Sequence, residues 1–290
     1  MTAGLVSPRF SSMRVPAAQG AGVTNVLAEN FEGLTAGTLE VRLATTQEDV
    51  AASQALRFAV FYEERSAIAD AEMAILRRDI DSFDAAADHL LVVDHARGEG
   101  AAGIVATYRL LRRHQAAQAG RFYTSAEYDI SMLVAEEGEI LELGRSCVHA
   151  DYRSKHVIDL LWRGIAAYVF RFDIKTMFGC ASLPGTDVDA LALPLSYLYH
   201  NHLAPEAVRP RALPGLYTDM NRIPADQIDR RRGFMSVPPL VKGYLRLGGF
   251  VGDGAVVDQQ FNTTDVCIVV KPDLVSDRYY NHYARRSSDA

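Results

Sequence analysis

Two groups of charged residues in the sequence have types and spacings suited to chemistry. Glu142 and Arg145 stand three apart in "EILELGRSCV", and Asp79, Asp81 and Asp84 fall within "RRDIDSFD", directly after Arg77 and Arg78. In a strand beginning near Ile140, alternation places Glu142 and Gly144 on one face and Leu141 and Leu143 on the other. Arg145 then turns to the opposite face, unless the glycine marks a bulge that re-aims it. A carboxylate on a central strand is costly to bury, so it is either paired or functional. Glu142 suits a proton acceptor, and equally a Glu–Arg pair that fastens strand to loop. The three close acids suit a metal or a cationic substrate, while a solvated turn with capping aspartates also accounts for them.

A third group is the turn "DYRSKHV", where Arg153, Ser154, Lys155 and His156 occupy positions that a phosphate-cradling loop fills with glycine. Side-chain cations beside a helix N-terminus suit one phosphate better than a pyrophosphate. His200 and His202 diverge on a helix and make no metal pair, and no metal site is expected. No GxSxG, HExxH or Walker sequence is present.

The elements that must position these groups follow from periodicity. "TLEVRLA" (38–44) alternates as a strand. Thr46 then caps a helix that runs to about Arg65, with Asp49 three residues on. "HLLVVDH" and "GIVATYRLL" form a strand pair around "ARGEGAA", and after a polar, aromatic stretch comes the strand "GEILELGRSCVHA". Apolar residues from Val157 to Asp173 recur on one wide helical face. A strand "KTMFGCASL", a helix kinked at Pro194, a helix in "PPLVKGYLRLGG" and a late strand "TDVCIVV" complete the order. The order implies an α/β (α+β) fold, a mixed sheet with helices on its faces.

Composition sets the outer bounds. A chain of 290 residues, 49% hydrophobic and 23% charged, builds one large or two small domains with a buried core. Its net charge of -6 excludes a general nucleic-acid binder, which needs a basic excess. Cys147, Cys180 and Cys267 lack the spacing of a disulfide or zinc framework, and point to a reducing cytoplasm. Residues 1–38, rich in Gly, Ala and Ser, are expected to be a flexible extension. A single domain follows over 39–283, with a core at 39–183, a C-terminal elaboration at 184–283 and a tail at 284–290. No segment has the ~20 apolar residues of a membrane span. A cytoplasmic protein, at most peripheral on the inner membrane, is expected.

In combination these motifs resemble a known family. "LRFAVFYEE" (56–64), "DIDSFD" (79–84), "TYRLL" (107–111) and "ELGR" (142–145) are similar to the acyl-homoserine-lactone synthase pattern, a branch of the Gcn5-related N-acyltransferase fold. "VHADYRSKHVIDLLWRGI", "FGCASLPGTD", "PPLVKGYLRLGGFVGDGAVVDQQFNTTDVCIVV" and "RYYNHY" resemble more closely the ornithine N-acyltransferases that begin ornithine-lipid synthesis. The resemblance implies a mainly antiparallel central sheet and transfer of a 3-hydroxyacyl chain from acyl carrier protein to the α-amine of L-ornithine, giving lyso-ornithine lipid. No separate cofactor is implied, since the phosphopantetheine arm arrives on the donor.

The resemblance also implies roles. Glu142 takes the amine proton, with Arg145 beside it, and Asp81 and Asp84 hold the acceptor's ammonium groups. Arg109, Arg57 and Phe61 complete the substrate site. Arg153, Ser154, Lys155, Cys147 and Val148 meet the phosphopantetheine and its carrier, with Arg112, Arg113 and Arg230 to Arg232 as further cations for the carrier's acidic surface. Signal synthesis from S-adenosylmethionine, another amino-acid acylation and a non-catalytic lipid or carrier binding module stand as alternatives. Coenzyme A acetyl transfer is disfavoured by the glycine-free turn.

Overall fold

The computed structural model describes residues 33–272. Its first strands, β1 (Leu34–Ala36) and β2 (Leu39–Leu43), form a hairpin that turns at Gly37, φ 65°. Residues 34–38 of the expected extension are thus an arm of the sheet, anchored by Leu34 against the core. Residues 1–32, "RYYNHY" and the tail 284–290 lie outside the described residues.

Helix α1 (Gln47–Phe58) starts as the sequence requires, with the Thr46 hydroxyl accepting the Asp49 N–H at 3.1 Å. The expected single helix to Arg65 differs at its end, because Ala59–Glu64 widens into a π-type turn. That turn buries Val60 and Tyr62. A short helix α2 (Ala71–Leu76) precedes the hairpin of β3 (Asp88–Asp94) and β4 (Ile104–Arg112). Helix α3 (Arg113–Gln118), strand β5 (Tyr128–Asp129) and helix α4 (Ser131–Val134) occupy the polar, aromatic stretch.

Strand β6 (Glu139–Val148), helix α5 (Lys155–Arg171) and strand β7 (Ile174–Pro184) follow. In α6 (Ala192–His202) no kink forms, because the helix begins two residues before Pro194. The proline falls in the first turn, where a missing N–H leaves no bond unmade. The described residues end with β8 (Arg211–Ala212), α7 (Arg230–Ser236), α8 (Pro239–Arg246), β9 (Phe250–Val251), β10 (Val256–Asp258) and β11 (Thr263–Val270).

Nine strands make one sheet in the order β1-β2-β3-β4-β6-β7-β11-β10, with β9 also on β11, while β5 and β8 pair separately. All neighbours are antiparallel except β6 and β7. One face packs on α5 through Val157, Leu160, Leu161, Ile165 and Tyr168. The other carries α1 and the segments around Phe83, Phe122 and Tyr128. The elaboration contributes β9, β10 and β11 to the same sheet as the core.

Two irregularities in β6 prepare a site. First, β6 and β7 pair only where Glu139–Glu142 faces Ile174–Phe178. Beyond that point β6 keeps β4 and β7 keeps β11, so the two strands part like a wedge. Gly179 sits at its apex, where a Cβ would lie 2.2 Å from the Leu143 carbonyl oxygen. Second, β4 pairs Thr107 with Cys147 but Arg109 with Gly144, so β6 carries one extra residue. Arg145 takes φ 51° in this bulge, the alternative that the glycine beside it allows for.

Candidate active site

The bulge turns Arg145 onto the face that α1 covers, and there it meets the aspartate turn. Arg145 Nε donates to Asp79 at 3.0 Å and its terminal nitrogen to Asp81 at 3.1 Å. Arg57, on α1, donates Nε to Asp79 at 2.7 Å and both terminal nitrogens to Asp84 at 2.8 Å. Arg109, on β4, reaches Asp81 at 2.6 Å and Asp84 at 3.2 Å. Tyr62 donates to Asp79 at 3.0 Å and Gln54 to Asp84 at 2.9 Å. Three arginines from three elements therefore neutralise three aspartates of one turn.

Burial alone would raise the Asp84 carboxyl, but Arg57, by hydrogen bond and charge, and Arg109, by charge, hold it well below the usual carboxylate range. Asp79 is lowered likewise, with the charges of Arg145 and Arg57 outweighing its burial. Both acids are spent on arginine. Asp81 is the most open of the three, its side chain 19% exposed.

The network is walled by aromatic rings. The Arg145 guanidinium lies 4.8 Å from the ring centres of both Tyr123 and Phe261, and Arg109 lies 5.4 Å from Phe83. Phe61 meets Phe261 edge-on at 5.9 Å, and the Ile68 N–H donates to the Gln260 carbonyl at 2.7 Å. The turn after α1 thus spans to the β10–β11 loop.

Glu142 lies where the wedge begins. Its oxygens accept the N–H of Tyr123 at 2.8 Å and of Thr124 at 2.6 Å. It is 4% exposed, and burial raises its carboxyl above the ordinary value, against the opposing pull of Thr124, Tyr123 and Arg109. The strand therefore holds Glu142 and Arg145 on the same side of the sheet, joined through the Tyr123 segment, without a direct Glu–Arg ion pair among the described residues.

The residues expected to meet the donor run from the end of β6 to the start of α5. His149 N–H donates back to Val105 of β4 at 2.8 Å. By strand alternation the main-chain groups of Val148 point the other way, into the wedge. Arg153 Nε reaches the Val148 carbonyl at 3.2 Å, and its guanidinium pairs with Glu64. Cys147 is buried and its thiol is pushed up to about 12, mainly by burial, which makes it inert filling. Ser154 caps α5 without using its hydroxyl on the helix, and Lys155 opens that helix, exposed.

Two expected carrier contacts are instead bonded within the fold. Arg112 is buried, bonded to Tyr168 at 2.8 Å and stacked 3.8 Å from Phe172, while Arg113 caps the carbonyls of Val134, Glu136 and Gly138. Both sit where β4 ends against neighbouring elements, so they fasten the fold. His200 and His202 do part, toward Ile223 and Tyr197.

A second acidic group lies beside the wedge. Oxygens of Glu127, Asp258 and Asp265 all lie within 4.8 Å of one another, and the Cys180 thiol donates to Glu127 at 3.3 Å. Burial, then the charge of Asp265, pushes Glu127 up to about 8, and burial pushes Asp265 up to about 6. Sequence reasoning did not single these residues out. An acid inside the apolar run "TDVCIVV" was the available signal for Asp265, whereas Glu127 in a polar stretch carried none.

A sheet parted between two central parallel strands, with charged groups and a helix N-terminus at the mouth, defines a Gcn5-related N-acyltransferase. The Acetyltransferase (GNAT) domain family matches residues 56–163. The chain is 44% identical over 261 residues to an L-ornithine N(alpha)-acyltransferase of Agrobacterium fabrum, covering 88% of this chain and 89% of that one. It is 46% identical over 255 residues to the protein of that name from Brucella abortus, covering 87% and 91%. The chain belongs to the L-ornithine N(alpha)-acyltransferase family. An N-acyl amino acid synthase from uncultured soil microbes is similar in structure, with a TM-score of 0.45 at 8% identity, over 82% of this chain and 93% of that one.

Proposed function

We propose that the protein transfers a 3-hydroxyacyl group from acyl carrier protein to the α-amine of L-ornithine, releasing lyso-ornithine lipid. The acceptor and the bond formed follow the family. The observation that carries the chemistry is the wedge between β6 and β7, which leaves the Val148 N–H facing no neighbouring strand beside a charged site.

In this reading the phosphopantetheine arm lies along that edge as an added strand would, and the Val148 N–H faces the developing oxyanion. Ser154, Lys155 and the free N–H groups of α5 receive its phosphate, with Arg153 beside them. The α-amine, stripped of one proton, attacks the thioester carbon. A C–N bond forms, the C–S bond breaks, and the thiolate leaves on the carrier arm and takes up a proton. Glu142, its proton affinity raised by burial, accepts the amine proton through the lone-pair positions its two N–H partners leave free. The Arg57–Asp84 network and Arg109 keep the Asp81 edge rigid beside the acceptor.

Among the described residues no helix is long and apolar enough to cross a membrane. For an amphiphilic product we place peripheral contact at exposed Ile68, Ile75 and Leu76, next to exposed Arg77.

The test is incubation with 3-hydroxyacyl carrier protein and a panel of amines, with products identified by mass. Ornithine-dependent thiol release and an amide on the α-nitrogen are expected. Thiol release that never depends on ornithine overturns the reading, and product formed only from coenzyme A thioesters overturns the donor.

A further inference from the structure

The Arg57 network and the second acidic group obey opposite charge balances. Asp79, Asp81 and Asp84 meet three arginines. Glu127, Asp258 and Asp265 form no ion pair with any described lysine or arginine. Each acid is fixed by its own element. Glu127 follows the turn that Glu142 holds, Asp258 closes β10 and accepts the N–H of Gln260 and Phe261, and Asp265 pairs in register with Ser182 across β11 and β7.

Asp265 carries the decisive detail. It is 6% exposed, and although the hydroxyls of Ser182 and Thr263 act on its carboxyl, one of its oxygens has no hydrogen-bond partner among the described residues. A buried carboxylate oxygen without a donor is costly, so such a position is held for a group that arrives with one. The charge of Arg145 acts on both Glu127 and Asp265, but its Nε and one terminal nitrogen are committed to Asp79 and Asp81.

An ammonium has three N–H donors and a full positive charge, and three converging carboxyl groups are its complement. The two nitrogens of a diamino acid differ in what they need. The one that reacts must lose a proton. A nest of acids does the reverse, because it holds an ammonium protonated and therefore non-nucleophilic.

We infer that Glu127, Asp258 and Asp265 form the pocket for the distal ammonium of the acceptor, keeping that nitrogen charged and directing acylation to the α-amine. The inference rests on the diamino-acid reading of the preceding subsection, and it moves recognition of the side-chain ammonium from the arginine-bound turn to the cation-free one. The trio lies beside the wedge, with Cys180 of β7 in contact with Glu127 two residues past the last β6–β7 pair at Phe178.

The experiment compares ornithine with norvaline, which has the same carbon chain without the distal amine, in wild type, Asp265→Asn and Glu127→Gln. Calorimetric binding without donor is paired with kcat/KM using 3-hydroxyacyl carrier protein. Wild type should prefer ornithine by about a hundredfold or more in both readouts, and each variant should lose about tenfold or more of that preference. Variants that melt like wild type and keep the full preference overturn the pocket. So does a divalent ion that co-purifies with wild type and is lost in Asp265→Asn. Wild type that binds ornithine over norvaline but never acylates it supports the pocket and sinks the reaction; wild type that acylates both equally sinks the pocket alone.

Discussion

The guanidinium of Arg57 straddles Asp84, both terminal nitrogens bound at 2.8 Å, with the two side chains almost wholly out of water. Removing the cation leaves Asp84 and Asp79 buried and short of a partner. Arg57→Leu should therefore cost about 3–5 kcal/mol, read as a lower urea midpoint at unchanged slope. Arg57→Lys keeps the charge and loses the fork, and should fall between.

Glu142→Gln tests proton transfer. Turnover should fall by roughly a hundredfold or more. Activity of the wild type should rise with pH through a carboxyl pKa above the ordinary glutamate value, because only the ionised form accepts a proton. The variant should lack that limb. A wild-type profile without it removes Glu142 from the role.

Val148→Pro removes an N–H that points into the wedge, so no β4–β6 ladder bond is lost. Thermal stability should change little. Activity with the acyl carrier donor should fall by about a hundredfold, the scale of losing one oxyanion donor.

The acidic trio makes a stability prediction whose sign is opposite to that of Asp84. Glu127 and Asp265 have folded pKa values of about 8 and about 6, above their ordinary 4.5 and 3.8. Their contribution is therefore fully present below the ordinary values and is lost as pH rises through the folded ones. The melting temperature of the free protein should fall from about pH 4 to about pH 8, and the fall should flatten in Asp265→Asn. Asp84, lowered by Arg57 and Arg109, adds stability that disappears only in stronger acid.

Much of this molecule was legible in its sequence. The strand alternation of β3, β4, β6 and β7 and the apolar face of α5 follow directly from period-two and period-3.6 patterns. Gly144, between Glu142 and Arg145, also gave the bulge as an explicit option. What the pattern could not give was the third partner of each group. Asp81 and Asp84 look available to a substrate until Arg57 and Arg109 arrive from other elements to occupy Asp84. Glu127 comes from a segment distant from Asp258 and Asp265; the pairing of β10 with β11 sets those two together, and Glu127 reaches β7 through Cys180. The π-type turn after α1 was hidden because "AVFYEE" continues a helical pattern, and its widening depends on the tertiary fit of Tyr62 to Asp79.

The bulge at Arg145 makes β6 a ruler with two marks. Glu142 fixes the segment that leads to Glu127, and Arg145 fixes the aspartate turn, so the two halves of the proposed acceptor site are referenced to one strand. A one-residue insertion or deletion between them would move one mark relative to the other and send its side chain through the sheet. Substitution within β6 leaves this geometry in place, whereas a change in the distance from Glu142 to Arg145 would not.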